Sequence, residues 1–454
     1  MNSIFTAAFI IYLLVFIIIG LLDAKKIRNF RDYSTAGKNQ RTFAVVMTLL
    51  ATMIGASTTI GITDTVFSIG FPGIWWLAFG ALGLVLQSVL ISEKVRDLDA
   101  DTLPDLAGRT VGRPAELLIA LVIVVSWIGV IAGQLAALGR LISFALGKSE
   151  KWLFVLVAVI VIIYTMTGGQ LSVVRTDKIQ LAVILAGTTI CVIWLYAVKG
   201  GNTADVFSNI ELLNESYTPA NLATQFFVIG GVFFLGPDIL SRNFISGDAK
   251  TARRSAWISG LILLAFAAMI TMTGMWIRYN VTPEQLGDSG ALMYAVTLLP
   301  KAAAVIMVFG LLSAILSSTD TCIINASVIF VKDILKKESV KGIRVTVAVI
   351  GALSLSLVLL GRGDIMSLLS GAYSIYTPGV IFPLTIAIFA CGKHDINRKL
   401  WLAAVAAGGI IGLAGNFFGN ALSAAGIPDG VLKYLTLIGM GISLVLSLLS
   451  VRRR

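Results

Sequence analysis

Long apolar runs alternate with short polar segments along the whole chain. Runs of roughly 18 residues or more recur throughout, and each can cross a hydrocarbon core about 30 Å thick. The polar stretches between them, such as 23–41 and 200–220, are only loop-sized. The pattern predicts an all-α membrane protein with about thirteen transmembrane helices. The predicted limits are 4–22, 43–68, 73–93, 116–147, 152–170, 178–199, 222–241, 254–278, 299–331, 343–361, 365–391, 399–419 and 429–450.

The positive charges lie on one side of this predicted topology. If the N-terminus is outside, 27 of the 35 Lys and Arg residues fall in inner segments. Lys and Arg are concentrated in cytoplasmic loops of membrane proteins. We therefore expect a multi-pass protein of the cell (inner) membrane, with its N-terminus outside, its C-terminus cytoplasmic and lipid around it. The net charge of +11 reflects these loops, so we expect no nucleic-acid partner.

Composition removes several classes of chemistry. Only 13% of the residues are charged, against about 25% in soluble proteins. The chain has three cysteines without metal-like spacing and one histidine, His394, in a basic loop. It has neither a His-Glu-x-x-His nor a Gly-x-Ser-x-Gly motif. We therefore expect no enzyme, no organic cofactor and no disulfide framework.

Two predicted spans are interrupted in mid-membrane. The second contains Gly55 and Gly61 around a Ser-Thr-Thr run, and the seventh contains Gly236 followed by Pro237. In lipid, unpaired backbone groups are tolerated only beside a cavity or within protein. Two broken helices five spans apart fit an inverted repeat of five helices plus five, with a transport site at the breaks. Glycine-rich packing faces are the alternative.

The ninth predicted span could hold a cation. Ser317, Ser318, Asp320 and Thr321 place several oxygen atoms within about one helical turn, and oxygen ligands suit a hard cation such as sodium. The alternative is that the hydroxyls bond back to their own helix. Asp177 is expected to cap the helix that follows it, and a role in a cation pathway is compatible with that.

Four motifs, in order, resemble those of the sodium:solute symporter family. They are Asp32–Gly37, Thr102–Asp105, the stretch from Gly168 to Gln180, and Pro237–Arg242 followed by Lys250–Arg254. The resemblance implies a LeuT-like five-plus-five inverted-repeat bundle. The implied divisions are an extra helix and inner loop (1–42), a first repeat (43–199), an outer loop (200–221), a second repeat (222–391) and two C-terminal helices with a basic tail (392–454).

The resemblance also implies the cation sites. The family's sodium ligands fall at carbonyls of Ala51, Ile54 and Ala314 and at the hydroxyls of Ser317 and Ser318. A second cation site, which some members have, falls at Asp177, Ser317, Asp320 and Thr321. Asp320 stands where those members have a hydroxyl, which leaves the stoichiometry open.

The solute is expected beside the broken second span. Candidate lining residues are Ser57, Thr58, Gln134, Phe233, Phe234 and Tyr373. Because Ser57 and Thr58 adjoin the N-terminus of a half-helix, whose partial positive charge suits a carboxylate, they favour an amino acid or organic acid. A sugar or a vitamin is the alternative. Trp75, Trp76 and Trp127 are expected at interfaces or in packing.

These observations together predict a sodium-coupled symporter that imports a small polar solute by alternating access. The polar mid-membrane residues cluster in one region, whereas a channel needs a continuous polar pore. A transporter-like sensor is the other alternative. We expect no obligatory protein partner.

Overall fold

The protein is almost entirely helical. The computed structural model describes residues 2–147, 151–287, 290–361, 364–432 and 434–453. Its first helices are α1 (Asn2–Ala24), α2 (Phe30–Thr35), α3 (Thr42–Met53), α4 (Ile62–Ile69), α5 (Trp75–Leu90), α6 (Ser92–Asp97), α7 (Leu103–Thr110), α8 (Arg113–Leu146), α9 (Lys151–Ile193), α10 (Thr203–Ser208), α11 (Pro219–Gln225), α12 (Gly231–Leu235) and α13 (Pro237–Ile245).

The second part of the chain continues in the same way. Its helices are α14 (Ala249–Asn280), α15 (Pro283–Leu286), α16 (Ala291–Thr297), α17 (Lys301–Ile329), α18 (Val340–Leu359), α19 (Ile365–Ala390), α20 (Arg398–Phe417), α21 (Gly419–Ala424), α22 (Asp429–Leu432) and α23 (Leu435–Ser450). Strands β1 (His394–Ile396) and β2 (Val451–Arg453) form a short antiparallel pair. Short 3₁₀ or π segments lie at Ala36–Lys38, Ser57–Gly61, Phe71–Ile74, Trp194–Lys199, Phe226–Gly230 and Phe330–Ile334.

The helices are long and apolar enough to cross a membrane several times. Within the described residues, nine qualify by length and composition, or ten if the bent pair Thr42–Met53 and Ser57–Ile69 counts as one span. The predicted total of about thirteen also counts α9 twice and includes α1 and α23. That total stays a prediction, while the multi-pass helical architecture is confirmed.

Helix α9 and the π segment after it form two spans that meet at Gly169. Together they run for 49 residues, about 74 Å at 1.5 Å per residue, which is more than twice the hydrocarbon thickness. Gly169 has φ 55° and ψ −161°, a conformation that glycine adopts readily. Tyr164 and Asp177, on either side of it, bond to Asp320 and Ser317, less than one turn apart on α17. The chain therefore folds back at Gly169.

This turn corrects two predictions. The segment 171–177, which the fifth and sixth predicted spans leave as an inner loop, is helical, because a single glycine makes the reversal. Asp177 therefore lies inside a helix and does not cap one. A Cβ at position 169 would lie 2.8 Å from the ring of Tyr33, so the close approach also requires glycine there.

Helix α17 is strongly enclosed near the predicted site. All its residues from 310 to 329 are buried, including Ser317, Ser318, Asp320 and Thr321. Buried polar groups need hydrogen-bond partners. These partners come from α3, α9 and α13, the elements that form the site described below.

An ion-pair cluster ties the loop before α7 to distant parts of the chain. Lys38 Nζ lies 2.7 Å from carboxylate oxygens of both Asp99 and Asp101. Lys332 Nζ lies 2.6 Å from Asp101 and 2.9 Å from Asp105. Burial raises the pKa of Asp105, but the hydrogen bond and charge of Lys332 together with the bonds from Arg109 and the Asp101 backbone outweigh this and lower the pKa to about 2. The cluster therefore stays ionised at neutral pH.

Candidate functional site

The break between α3 and α4 exposes backbone groups in the centre of the molecule. The chain bends by 62° there. The Gly55 N–H donates to Thr58 Oγ1 at 2.8 Å, and the Ala56 N–H donates to Gln134 Oε1 at 3.0 Å. In an unbroken helix these two donors would bond to the carbonyls of Ala51 and Thr52. The break therefore releases both carbonyls from their usual helical partners.

Helix α17 faces these released carbonyls. Ser318 Oγ donates to the Thr52 carbonyl at 2.8 Å. A Cβ on Gly55 would lie 2.5 Å from Ser318 Oγ, so glycine is needed for this approach. Ala51 and Ile54 on the break are fully buried, as is Ala314, which lies one turn before Ser318. The structure thus brings the end of α3 together with the turn of α17 that the sequence singled out.

Ser317 points towards α9 and bonds to a buried carboxylate. Its hydroxyl donates to Asp177 Oδ1 at 2.6 Å, and Thr48 Oγ1 donates to Asp177 Oδ2. Both Ser317 and Asp177 have no exposed surface. A hydroxyl that donates its proton keeps lone pairs on its oxygen. Ser317 and Ser318 therefore remain capable of coordinating a cation.

Arg242 lies at the centre of the predicted second cation site. Its Nη2 is 3.4 Å from Asp177 Oδ2, 2.5 Å from Thr321 Oγ1 and 2.6 Å from Thr52 Oγ1. Arg242 is fully buried. The seventh predicted span, 222–241, thus ends too early, because α13 continues to Ile245. A guanidinium bonds to Asp177 and Thr321, which were expected to share a second cation.

Asp320 is not part of that group of contacts. Its carboxylate accepts hydrogen bonds from the Tyr164 hydroxyl and from Thr165 Oγ1, the latter at 2.6 Å. Asp177 and Thr321, in contrast, share the guanidinium of Arg242. The four residues expected at a second cation site are therefore divided between two sets of hydrogen bonds, with Asp177, Ser317 and Thr321 in one and Asp320 in the other.

A cavity lies next to the break. Its interior volume is about 40 Å³, which is room for a few water molecules in this conformation. Five of the six predicted lining residues border it, and Phe234 does not. The lining residues are Thr52, Met53, Gly55, Ser57, Thr58, Trp76, Trp127, Val130, Gln134, Val232, Phe233, Gly236, Asp238, Ile239, Ser318, Cys322 and Tyr373. Trp76 and Trp127 were expected to pack elsewhere, so that expectation is wrong for both.

The sequence prediction missed a carboxylate in the cavity wall. Asp238 Oδ2 accepts a hydrogen bond from Trp127 Nε1 at 2.6 Å and from Cys322 Sγ at 3.2 Å. Its Oδ1 accepts from Asn325 Nδ2 at 2.9 Å. An acidic residue within a membrane segment is a signal of function. That signal was present in the sequence, because Asp238 follows the Gly-Pro break directly.

The second break, at Gly236, is capped by side chains. Gly236 has an extended conformation, φ −67° and ψ 145°, between α12 and α13. The Tyr376 hydroxyl donates to the Leu235 carbonyl at 2.6 Å. Gln87 Nε2 donates to the Phe234 carbonyl at 3.1 Å. Two carbonyls that this break exposes are thus already hydrogen-bonded.

This arrangement of broken helices around a small central cavity is that of a membrane transporter. A model of the sodium:solute symporter family matches residues 33–395. The chain belongs to this family, as its motifs indicated. It is therefore a sodium-coupled transporter, not an enzyme, and its coupling ion is sodium.

Solved structures of transporters share the fold. A Na⁺-coupled sialic acid symporter in a substrate-bound outward-open state has a TM-score of 0.79 at 18% identity, with 100% of both chains covered. MHP1, a nucleobase-cation-symport-1 family transporter in a closed conformation with bromovinylhydantoin bound, has a TM-score of 0.61 at 14% identity, covering 92% of this chain and 93% of that one. MhsT in complex with L-phenylalanine has a TM-score of 0.59 at 12% identity, covering 90% and 97%. The predicted LeuT-like fold is confirmed.

Proposed function

We propose that this protein imports a small polar solute together with sodium by alternating access. The cell membrane is the proposed location, with the N-terminus outside and the C-terminus in the cytoplasm. One observation carries the proposal: Ser318 bonds to the released backbone of α3 and also lines the cavity. Ions and solutes that share a side chain influence each other's binding directly.

The proposed sodium ligands are the carbonyls of Ala51, Ile54 and Ala314 and the hydroxyls of Ser317 and Ser318. The release of the Ala51 carbonyl by the break supports this assignment. So does the burial of all five residues, because a dehydrated ion needs protein oxygens in place of water. Within the inverted repeat, the two ligand segments belong to the first helix of 43–199 and to the third helix of 222–391.

We propose one coupling sodium ion. A second ion between Asp177 and Thr321 would have to displace the buried Arg242, whose charge already balances that of Asp177. The guanidinium thus takes the role that a second cation has in some relatives. Asp320 bonds to Tyr164 and Thr165 and makes no contact with the guanidinium that takes this role.

The proposed solute is an amino acid or organic acid that binds between Ser57, Gln134, Phe233 and Tyr373. The polar side chains of Ser57, Gln134 and Asp238 in the largely apolar cavity wall support a polar solute. The argument for a carboxylate at the half-helix N-terminus is weaker than the sequence implied, since the N–H groups of Gly55 and Ala56 already have partners. The Thr58 hydroxyl is also occupied at the break, because it accepts from the Gly55 N–H and donates to the Met53 carbonyl.

Sodium then acts as the link between the two repeats. When it binds, it holds the end of α3 against α17 and steadies the outward-open cavity for the solute. Closure of the outer side and opening of the inner side release sodium into the cytoplasm, where its concentration is low. Loss of the ion loosens the Ser318 contact and frees the solute.

The test is sodium-dependent uptake by a Ser318→Ala variant. Because coupling is reciprocal, each ligand raises the affinity of the other by the same factor. We expect the sodium concentration for half-maximal uptake to rise about tenfold or more, the scale of one lost ligand in charge-assisted contacts. Uptake at saturating sodium should be less affected.

Ser327→Ala is the matched control on the same helix. Ser327 is fully buried, and its hydroxyl has no hydrogen-bond partner among the described residues. Its removal should leave the sodium dependence unchanged. An unaltered sodium dependence in Ser318→Ala would remove the site assignment. The solute for this assay comes from a thermal-shift screen with and without sodium, since a bound ligand stabilises the fold.

A further inference from the structure

The carboxylate of Asp238 borders the cavity without an ion-pair partner among the described residues. No Lys, Arg or His side chain of the described residues forms an ion pair with it. Arg242, one turn further along α13, attracts Asp238 electrostatically, but its guanidinium bonds to Asp177, Thr52 and Thr321. One positive charge cannot balance both carboxylates. We propose that the solute carries a positively charged nitrogen, and that Asp238 is its counter-charge. This inference rests on the proposed function and narrows its solute class.

The hydrogen bonds around Asp238 hold a charged carboxylate. Trp127, Cys322 and Asn325 all direct donors at its two oxygens. An ionised carboxylate only accepts hydrogen bonds, so three donors and no acceptor match the ionised form. Asp238 is 8% exposed. Neutral donors orient this buried charge but do not cancel it, and a cation in the cavity would do so.

The cavity walls suit the same ligand. Trp76, Trp127, Phe233 and Tyr373 all line it. The rings of Trp127 and Tyr373 have centroids 6.5 Å apart at an angle of 55°, next to Asp238. Aromatic faces attract ammonium groups, and the attraction strengthens where water is excluded. Four aromatic residues around one carboxylate therefore form a pocket for an ammonium group of a small molecule.

Other lining residues of the cavity can take the rest of the solute. Ser57 and Gln134 lie beside the break. The Gln134 carbonyl oxygen is used by the Ala56 N–H. A small neutral or acidic group can complete the solute on this side, as in a zwitterion. A plain organic anion, in contrast, would face Asp238 with a like charge, which is unfavourable in a cavity of low polarity.

The experiment uses the full-length purified protein and probes of similar size but different charge. These are L-alaninamide and choline as cations, L-alanine as a zwitterion, L-lactate as an anion and D-glucose as a neutral polyol. Thermal shift and tryptophan fluorescence are measured in NaCl and in KCl, because Trp76 and Trp127 report on the cavity. We expect sodium-dependent binding among the cations or the zwitterion and none for lactate or glucose.

Asp238→Asn then tests the residue itself. We expect the affinity of the probe that binds to fall at least about tenfold, the usual cost of losing a hydrogen bond to a charged group. Stabilisation by sodium alone should persist, which shows that the variant is folded. Asp205→Asn, the same change on the exposed helix α10, is the control and should have no effect.

The outcomes separate this inference from the proposed function. Sodium-dependent binding of lactate or glucose, or full affinity of a cationic probe for Asp238→Asn, overturns the inference and leaves the symporter proposal intact. The charge preference is read from the unmodified protein, so it holds even if the variant is unstable. If every probe that binds does so equally well in NaCl and in KCl, and sodium alone does not stabilise the protein, the proposed function is overturned instead.

Discussion

The two broken helices of this protein satisfy their interrupted backbone hydrogen bonds in different ways. At the α3–α4 break, the N–H groups of Gly55 and Ala56 leave their helical acceptors and bond to Thr58 and Gln134. At the α12–α13 break, the exposed carbonyls of Leu235 and Phe234 are capped by other helices. The first break bends the chain by 62°, whereas the second interrupts it at the single residue Gly236.

The difference indicates that the broken helices of the two repeats have different roles. The first break offers backbone oxygens, which suit a small hard cation. The second break has its backbone satisfied and instead carries side-chain charges, Asp238 towards the cavity and Arg242 towards Asp177. On the proposed assignment, one broken helix serves the ion through its main chain, and the other serves charge balance through its side chains.

Breaking the connection between the two broken helices should have the largest effect. Arg242 of α13 bonds to Thr52 of α3 and to Asp177 of α9. We expect Asp177→Asn to destabilise the folded state by about 3–5 kcal/mol, because it leaves a buried guanidinium without its counter-charge. Arg242→Gln should do the same to the carboxylate. Unfolding of the purified variants in detergent measures both.

The double variant Asp177→Asn, Arg242→Gln provides the control for this pair. Removal of both charges should recover part of the stability that either single change loses, since residues in direct contact are coupled. Strictly additive losses would contradict the pairing. A double variant in which sodium still stabilises the fold would also support a single sodium site away from Arg242.

An intermediate effect is expected from glycine substitutions at the two breaks. A Cβ at Gly55 would lie 2.5 Å from Ser318 Oγ, and one at Gly236 would lie 2.4 Å from the Val232 carbonyl. Such overpacking typically costs about 1–3 kcal/mol. Gly55→Ala should lower the sodium affinity, read from the stabilisation of the fold by sodium, by roughly tenfold or more. Gly236→Ala should lower stability with little change in sodium affinity.

Gly441→Ala is the neutral reference for both changes, because a Cβ there meets nothing within 4 Å. Titration of the melting temperature with NaCl distinguishes the three variants. Equal loss of sodium affinity at positions 55 and 236 would show that both breaks serve the ion, and the proposed difference in their roles would be wrong.

The smallest effect is expected at the caps of the second break. Tyr376→Phe removes the hydroxyl that bonds to the Leu235 carbonyl and leaves that buried carbonyl unpaired. We expect a loss of about 1–2 kcal/mol in the free energy of unfolding, with an unchanged sodium concentration for half-maximal uptake. Tyr434→Phe, at a half-exposed position on the protein surface, is the control. A changed sodium dependence in Tyr376→Phe would mean that this break also contacts the ion.

Local sequence patterns were sufficient for the overall architecture. Apolar runs identify spans because lipid leaves no alternative to hydrogen-bonded helices. The breaks at Gly55 and at Gly236–Pro237 were visible because glycine and proline act locally. The sequence also predicted that the Ser317–Ser318 turn would meet the broken second span, and Ser318 bonds to the Thr52 carbonyl there. The roles of these residues as sodium ligands stay a prediction.

Long-range pairing was beyond those patterns. The position of Arg242 next to a basic segment suggested a loop, and only the packing of α13 against α3 and α9 places it in the interior. Trp127 reads as an interface residue until its N–H is found on Asp238. The reversal at Gly169 needs no loop residues, so hydropathy alone put the loop too late in the chain. The errors at Arg242 and Trp127 thus concern contacts between residues far apart in sequence.

The guanidinium between Asp177 and Thr321 has a consequence for the energetics of uptake. Arginine is never deprotonated in proteins and stays with the carrier, so its charge draws no energy from any gradient. With one sodium per cycle, a tenfold sodium gradient and 100 mV together supply about 3.7 kcal/mol. This limits the accumulation of an uncharged solute to roughly 500-fold. A carrier in which a side chain takes the place of a second ion accumulates its solute less strongly. It also uses fewer sodium ions for each molecule imported.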